Sequence, residues 1–282
     1  LLHKMTMFEM DLWMSMAYFI EQQVDYCIIE AGMGGRLDAT TALDHKACLI
    51  TNVGLDHTEY LGETFEQIAY EKSGVFKPNV PALTTEDKPE CQKVMELVAD
   101  YMKTPLCFID CQETDVLRWN GMTFHLNPPL YQAKNLSLAL ETLNVLGIWL
   151  EENEIQQVID HFQWAGRYMV LRKDPLVLLD GAHNVHGITA LTRSLKDFTG
   201  KIYFSVLKEK DAPHMIELLQ SISKDITLVE ISSARLYPLE KLGYPIITVD
   251  ELISRLLNTK EDSLLCGSLY YVGEVLEKWG NV

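Results

Sequence analysis

Three short stretches carry the side chains best suited to chemistry. Glu30 stands in "IIEAGMGGRLDATT" (Ile28–Thr41), after an apolar run and just before Gly32, Gly34 and Gly35. His57 closes "GLDH" (Gly54–His57), and "DGAHN" (Asp180–Asn184) holds Asp180 and His183. Carboxylates and imidazoles are the groups that hold cations and move protons. The glycines beside Glu30 raise a different possibility, a turn that cradles phosphate. A dinucleotide turn requires G-x-G-x-x-G; Gly32 and Gly34 fit, but Leu37 occupies the last place. A P-loop requires lysine after its second glycine, and Arg36 follows Gly35 instead. The one Gly-Lys pair, Gly200–Lys201, is followed by isoleucine, so the sequence contains no recognisable ATP phosphate cradle. The glycines are expected to permit a tight turn and close packing, with Arg36 and Asp38 fixing that turn as an ion pair.

These stretches need elements to position them. "YCIIEAG" (Tyr26–Gly32) and "ACLITNVG" (Ala47–Gly54) have the apolar character of buried parallel strands. Helical spacing marks "MFEMDLWMSMAYFIEQQ" before them and "TFEQIAYEKSGVF" after, the latter ending near Gly74. A strand in "VPALTTE", a helix in "PECQKVMELVADYMK" and a strand in "PLCFID" continue the alternation. Such βα repetition predicts a mostly parallel sheet covered by helices. A hairpin is expected around "RWNGMTFHL", then helices in "YQAKNLSLALETLNVL" and "EENEIQQVIDHF". Past an irregular "QWAGRYMVLRKDP", a second alternation begins with strands in "LVLLDGAHN", "KIYFSVLK", "ITLVEIS", "PIITVD" and "SLLCGSLY". The boundary is placed near Trp164–Arg167, giving a domain at 1–166 and a smaller Rossmann-like α/β domain at 167–282. In open parallel sheets ligands sit beyond the carboxyl ends of the strands, where all three stretches fall.

Composition narrows the partners. The chain has 282 residues, 48% of them hydrophobic, enough for two cores. A net charge of -16 argues against a nucleic-acid partner, because no general basic field draws phosphodiesters. No apolar run reaches the roughly 18 residues of a membrane span. Neither a signal peptide nor an initiating methionine opens the chain, so part of the natural N-terminus is expected upstream. The six cysteines form no C-x-x-C pair and are read as reduced core thiols of a cytoplasmic protein, Cys27 and Cys48 lying in strand-like runs.

Together with "TMFEM", "WAGRYMVL", "FSVLKEKD" and "CGSLYYVGEV", these motifs resemble the folylpolyglutamate synthases of bacteria, often bifunctional with dihydrofolate synthase, in the Mur ligase superfamily. The resemblance runs in family order from about Thr6 to Glu274. It implies a truncated P-loop-type, Mur ligase central-domain-like first domain. It also implies an ATP-dependent ligase, acting as a monomer on small molecules: ATP, a reduced folate and L-glutamate. ATP phosphorylates the folate γ-carboxylate, and the glutamate amine displaces phosphate from the acyl phosphate, with Mg²⁺ neutralising phosphoryl charge. By the family pattern Glu30 and His57 are metal ligands, joined by Lys72 of "EKSG" if it is carbamylated. An unmodified Lys72 would pair with a phosphate instead. Asn135 and Arg167 match nucleotide-contacting positions, while Asp180 and His183 match residues reaching the ribose and phosphates. Catalytic roles fall to Lys72, Asp180 and His183. Lys208 and Ser268 receive glutamate-side or structural roles. His45, His125, His161, His186 and His214 are read as structural.

Two departures stand out. The family's first strand and phosphate loop belong several tens of residues before Thr6, so the chain as written is expected to hydrolyse ATP poorly. Ala165, where the family commonly has proline, precedes Gly166–Arg167. Two further readings stay open: additional dihydrofolate synthase activity on dihydropteroate, and a non-catalytic folate- or nucleotide-binding remnant.

Overall fold

The computed structural model describes residues 5–280. Packing divides the chain into two compact units. The first takes residues up to 112 together with 134–149; the second takes 113–133 together with 150 onward. Residues 150–166 therefore pack with the second unit, whereas the boundary expected near Trp164–Arg167 left them with the first.

The first unit opens with α1 (Met7–Gln22), started by a reciprocal capping box between Thr6 and Glu9. Its apolar residues have no core to enter: no α1 residue is buried, and Trp13 and Ile20 are 66% and 74% exposed. The strand expected over Tyr26–Gly32 does not form, and Ile28 is 96% exposed. A strand exists through ladder bonds to a neighbour, and among the described residues nothing pairs with this segment. Then follow β1 (Cys48–Ile50), α2 (Thr58–Leu61), α3 (Phe65–Ser73), β2 (Ala82–Thr84), α4 (Pro89–Met102) and β3 (Leu106–Phe108). The sheet is parallel in the order β1-β2-β3, Cys48 beside Ala82 and Ala82 beside Leu106. Ile68 and Ala69 of α3, Met95 and Ala99 of α4, and Phe76 pack on one face of it.

In the second unit, β4 (Val116–Trp119) and β5 (Met122–His125) form a hairpin. Asn120 and Gly121 take the left-handed conformation at φ 46° and 82°, as a two-residue turn with right-handed strand twist requires. Helix α5 (Gln132–Val145) leads back into the first unit, and α6 (Glu152–His161) holds the hairpin through Gln156, which accepts from the His125 amide at 3.1 Å. The Rossmann-like part comprises β6 (Met169–Lys173), β7 (Leu176–Leu179), α7 (Val185–Ser194), β8 (Lys201–Phe204), α8 (Ala212–Leu219), β9 (Ile226–Glu230), β10 (Ile246–Thr248), α9 (Val249–Asn258), β11 (Ser263–Cys266) and α10 (Leu269–Trp279). Its sheet runs β10-β9-β8-β11-β7-β6, all parallel but for β6, which pairs antiparallel with β7. Alternate residues of β7 enter opposite cores, Leu178 one and Val177 and Leu179 the other, so both faces are covered. The α/β class and the mostly parallel sheets agree with the sequence. No helix among the described residues is long and apolar enough to cross a membrane.

Candidate functional site

In the first unit the glycine turn packs onto the end of α3. A Cβ on Gly35 would lie 2.7 Å from the Lys72 carbonyl oxygen, and one on Gly74 would overlap the Arg36 backbone. The Arg36 amide donates to the Glu71 carbonyl at 2.8 Å, and its guanidinium grips the Glu71 carboxylate at 2.9–3.1 Å. The expected Arg36–Asp38 pair is therefore absent. Asp38 instead accepts from the Met33 and Thr40 amides at 2.9 and 3.0 Å and from the Thr40 hydroxyl. Both residues do fix the turn, through different partners.

Lys72 lies in the last turn of α3, half-buried. Burial pushes its ammonium below the ordinary lysine value of 10.5, opposed by the negative charges of Asp56 and Glu86. His57 is exposed at φ 51°, a left-handed conformation costly for a residue with a Cβ. Its amide donates to the Asp56 carboxylate at 2.9 Å. Glu30 is exposed in the unpaired segment before the glycine turn, not at a strand's end. Among the described residues no three His, Cys, Asp or Glu side chains are gathered to hold a metal ion. The donor types still suit a hard cation that keeps water or substrate phosphate in much of its shell.

Glu86, two residues beyond β2, is an acid that sequence reasoning passed over. It is 2% exposed and accepts from the Val53 amide, from the Lys88 amide at 2.8 Å and from Lys88 Nζ at 3.2 Å. The signal was present: an acid at the end of the strand-like "VPALTT", as Glu30 follows "YCII".

In the second unit Asp180 follows β7 and is 3% exposed. Its two carboxylate oxygens accept from the Tyr168 and Ala182 amides, each at 2.7 Å. Burial raises its pKa above 3.8, against those bonds and the nearby Arg167 and His183. The first bond secures Tyr168 at φ 47°, directly after Arg167. Arg167 lies against Gly181, where a Cβ would collide with its guanidinium. His183 Nδ1 sits 2.8 Å from the Gly181 carbonyl, which only accepts, so Nδ1 carries a proton there. The structure thus gathers Arg167, Asp180 and His183 around one strand end, with the Tyr131 phenol near enough to be raised in pKa first by burial and then by the Asp180 charge.

The remaining residues sit apart. Asn135 is exposed on α5 in the first unit. Lys208 is exposed after β8, and Ser268 is the buried N-cap of α10, accepting from the Tyr270 amide at 3.2 Å. His125, His161, His186 and His214 are exposed. The thiols divide: Cys48, Cys91 and Cys266 are buried, whereas Cys27 lies in the unpaired segment and Cys107 is on the outer side of β3, opposite Leu106 and Phe108, and both are exposed. Burial pushes Cys48 up to about 11 and Cys91 up to about 12, so both stay protonated near neutral pH.

Residues 3–126 match the Mur ligase middle domain family. Dihydrofolate synthase/folylpolyglutamate synthase from Buchnera aphidicola subsp. Acyrthosiphon pisum is 32% identical, the alignment covering 96% of this chain and 71% of that protein. The chain belongs to the dihydrofolate synthase/folylpolyglutamate synthase family. Solved structures agree. E. coli FolC in complex with ADP, without folate substrate, superposes with a TM-score of 0.87 at 28% identity, over 99% of this chain and 72% of that one. A bifunctional folylpolyglutamate synthase/dihydrofolate synthase with Mn, AMPPNP and L-glutamate bound gives 0.85 at 26% identity, over 98% and 72%. This family member therefore has the fold of enzymes whose structures hold nucleotide, divalent metal and amino acid.

Proposed function

We propose that the protein is an ATP-dependent ligase that adds L-glutamate to the γ-carboxylate of tetrahydrofolate and its polyglutamates. The observation supporting this most directly is the superposition of nearly the whole chain on a relative holding Mn, AMPPNP and L-glutamate. A γ-carboxylate oxygen attacks the terminal phosphorus of ATP, and ADP leaves. The glutamate amine then attacks the acyl carbon, loses a proton, and inorganic phosphate departs. Mg²⁺, the ion we assign, would be held by Glu30, His57 and a carbamylated Lys72, and it neutralises charge on the transferring phosphoryl oxygens.

The chain's own residues contribute positioning and charge. Carbamylation turns Lys72 from a cation into an anion, and its depressed pKa keeps more of the amine in the neutral, nucleophilic form that such a reaction consumes. Arg167, lodged against Gly181, offers a planar fork for phosphate oxygens. Asp180 is occupied with two backbone amides, so it acts by holding the Tyr168 turn and the Gly181–His183 turn in place. His183 is oriented by its Nδ1–H bond to the Gly181 carbonyl, and Asn135 offers an amide to the nucleotide. In this reading metal chemistry belongs to residues 1–166, nucleotide contacts to both parts, and the protein works as a cytoplasmic monomer.

The test is phosphate release by the full-length protein given ATP, Mg²⁺ and L-glutamate. Release is expected only when a reduced folate is added; release without folate, or with a muramyl precursor in its place, overturns the assignment. The names of several relatives favour a second acceptor, and turnover of dihydropteroate in the same assay would establish it. Binding of folate or nucleotide with no turnover would support a non-catalytic role.

A further inference from the structure

Lys72 and His57 lie on different elements, and something must set the loop between β1 and α2 in register with α3. Val53, the third residue of that loop, is completely buried. Both of its peptide groups are taken by one ion pair: its N–H donates to Glu86, and its carbonyl accepts from Lys88 Nζ at 2.9 Å. Glu86 and Lys88 also bond each other, and the Glu86 carbonyl accepts from Gln92 on α4 at 2.8 Å. Lys88 lies 5.3 Å from the ring centroid of Phe65, the first residue of α3. The pair thus touches the β1 loop, the end of β2 and the start of both helices.

An ion pair with one buried and one half-buried partner is weak as a source of stability, since apolar residues of equal volume often do as well. What it supplies here is direction. Its bonds fix the peptide plane four residues before His57, which must enter α2 from a left-handed conformation. Asp56 in that loop and Glu86 itself are the negative charges facing the half-buried Lys72 ammonium.

We propose that Glu86, with Lys88, is a positioning residue: it clamps Val53 so that the 53–57 loop presents Asp56 and His57 in fixed relation to Lys72. The inference rests on the ligase reading for its catalytic consequence, but not for the clamp.

The test uses the full-length protein as Glu86→Gln, which keeps the shape and loses the charge, and as Lys88→Met, which keeps the stem and loses the bond to Val53. Glu96→Gln, on the exposed face of α4, is the control for charge removal. Amide hydrogen exchange followed by mass spectrometry is expected to quicken across 53–57 in both variants and to stay unchanged in α9. Mn²⁺ affinity in the presence of AMPPNP, read from the free-ion electron paramagnetic resonance signal, should weaken about 10–100-fold, the usual cost of losing an outer partner of a metal ligand. kcat should fall by a similar factor with the KM for ATP unchanged. Lys88→Met keeps the test decisive if Glu86→Gln fails to fold. Unchanged exchange across 53–57 overturns the clamp, and faster exchange with unchanged Mn²⁺ affinity and kcat overturns its positioning role. A wild type with no folate-dependent turnover overturns the ligase reading instead, leaving the exchange experiment to judge the clamp.

Discussion

The two units hold their candidate residues in opposite ways. In the second, a six-stranded sheet with a core on each face fixes the backbone, and Asp180, Arg167 and His183 are arranged around the end of an interior strand. In the first, three strands are paired among the described residues and no residue of α1 is buried. There Lys72 and its neighbours are positioned by ties between side chain and backbone: Arg36 with Glu71, Gly35 against Lys72, and Glu86 with Lys88 around Val53. A site can be built by burying a scaffold or by tethering loops, and one chain here uses both.

The contrast breaks most easily in the cores. Leu264→Ala, at a fully buried position of β11, should cost about 3 kcal/mol in urea unfolding, whereas Ile28→Ala should stay within about 0.5 kcal/mol. A large loss at Ile28 would mean that the 26–32 segment is packed after all.

Glycines give the next largest difference. Gly74→Ala forces a Cβ into the Arg36 backbone and should cost about 2 kcal/mol, separating the turn from α3. Gly273→Ala in α10 meets open space and should stabilise by about 0.5–1 kcal/mol through helix propensity. The capping boxes at Thr64 and Thr248 sharpen the comparison from the other side. Each threonine to alanine should cost about 1 kcal/mol, showing that local helix signals are equally strong in both units.

The smallest effect is one of slope. Because burial raises the Asp180 pKa, the folded protein binds that proton more tightly than the unfolded chain. Its contribution is therefore greatest at pH below about 3.8 and is lost as pH rises through the raised folded value. Asp180→Asn should remove that decline, seen as a flatter urea midpoint against pH; an unaltered slope would show that the carboxylate is not held out of water.

Much of this was legible because strands such as "LVLLDG" and "KIYFSV" carry apolar residues on both faces and end in turn residues. The motifs from Glu30 to His183 led to the family in the same way. Other features depend on information that no local pattern holds. Tyr26–Gly32 has strand composition but no neighbour to pair with among the described residues. Strand β6 carries a register shift between Val170 and Arg172, which breaks the two-residue period, so "RYMVLRK" showed no clear alternation. Arg36 has an acid two residues away yet pairs with one thirty-five residues on, a choice made by tertiary packing. Glu86 closed the expected strand "VPALTTE" and drew no role, because its importance lies in Val53, thirty-three positions earlier.

The glycine contact has a consequence for Glu30. Gly35 is pinned to the end of α3, and Glu30 stands five residues before it. Met33, three residues after Glu30, is tied to Asp38, and Gly32 packs against the Phe8 ring, so the backbone carrying this carboxylate is held within about 17 Å of Gly35 by contacts on both sides of the turn.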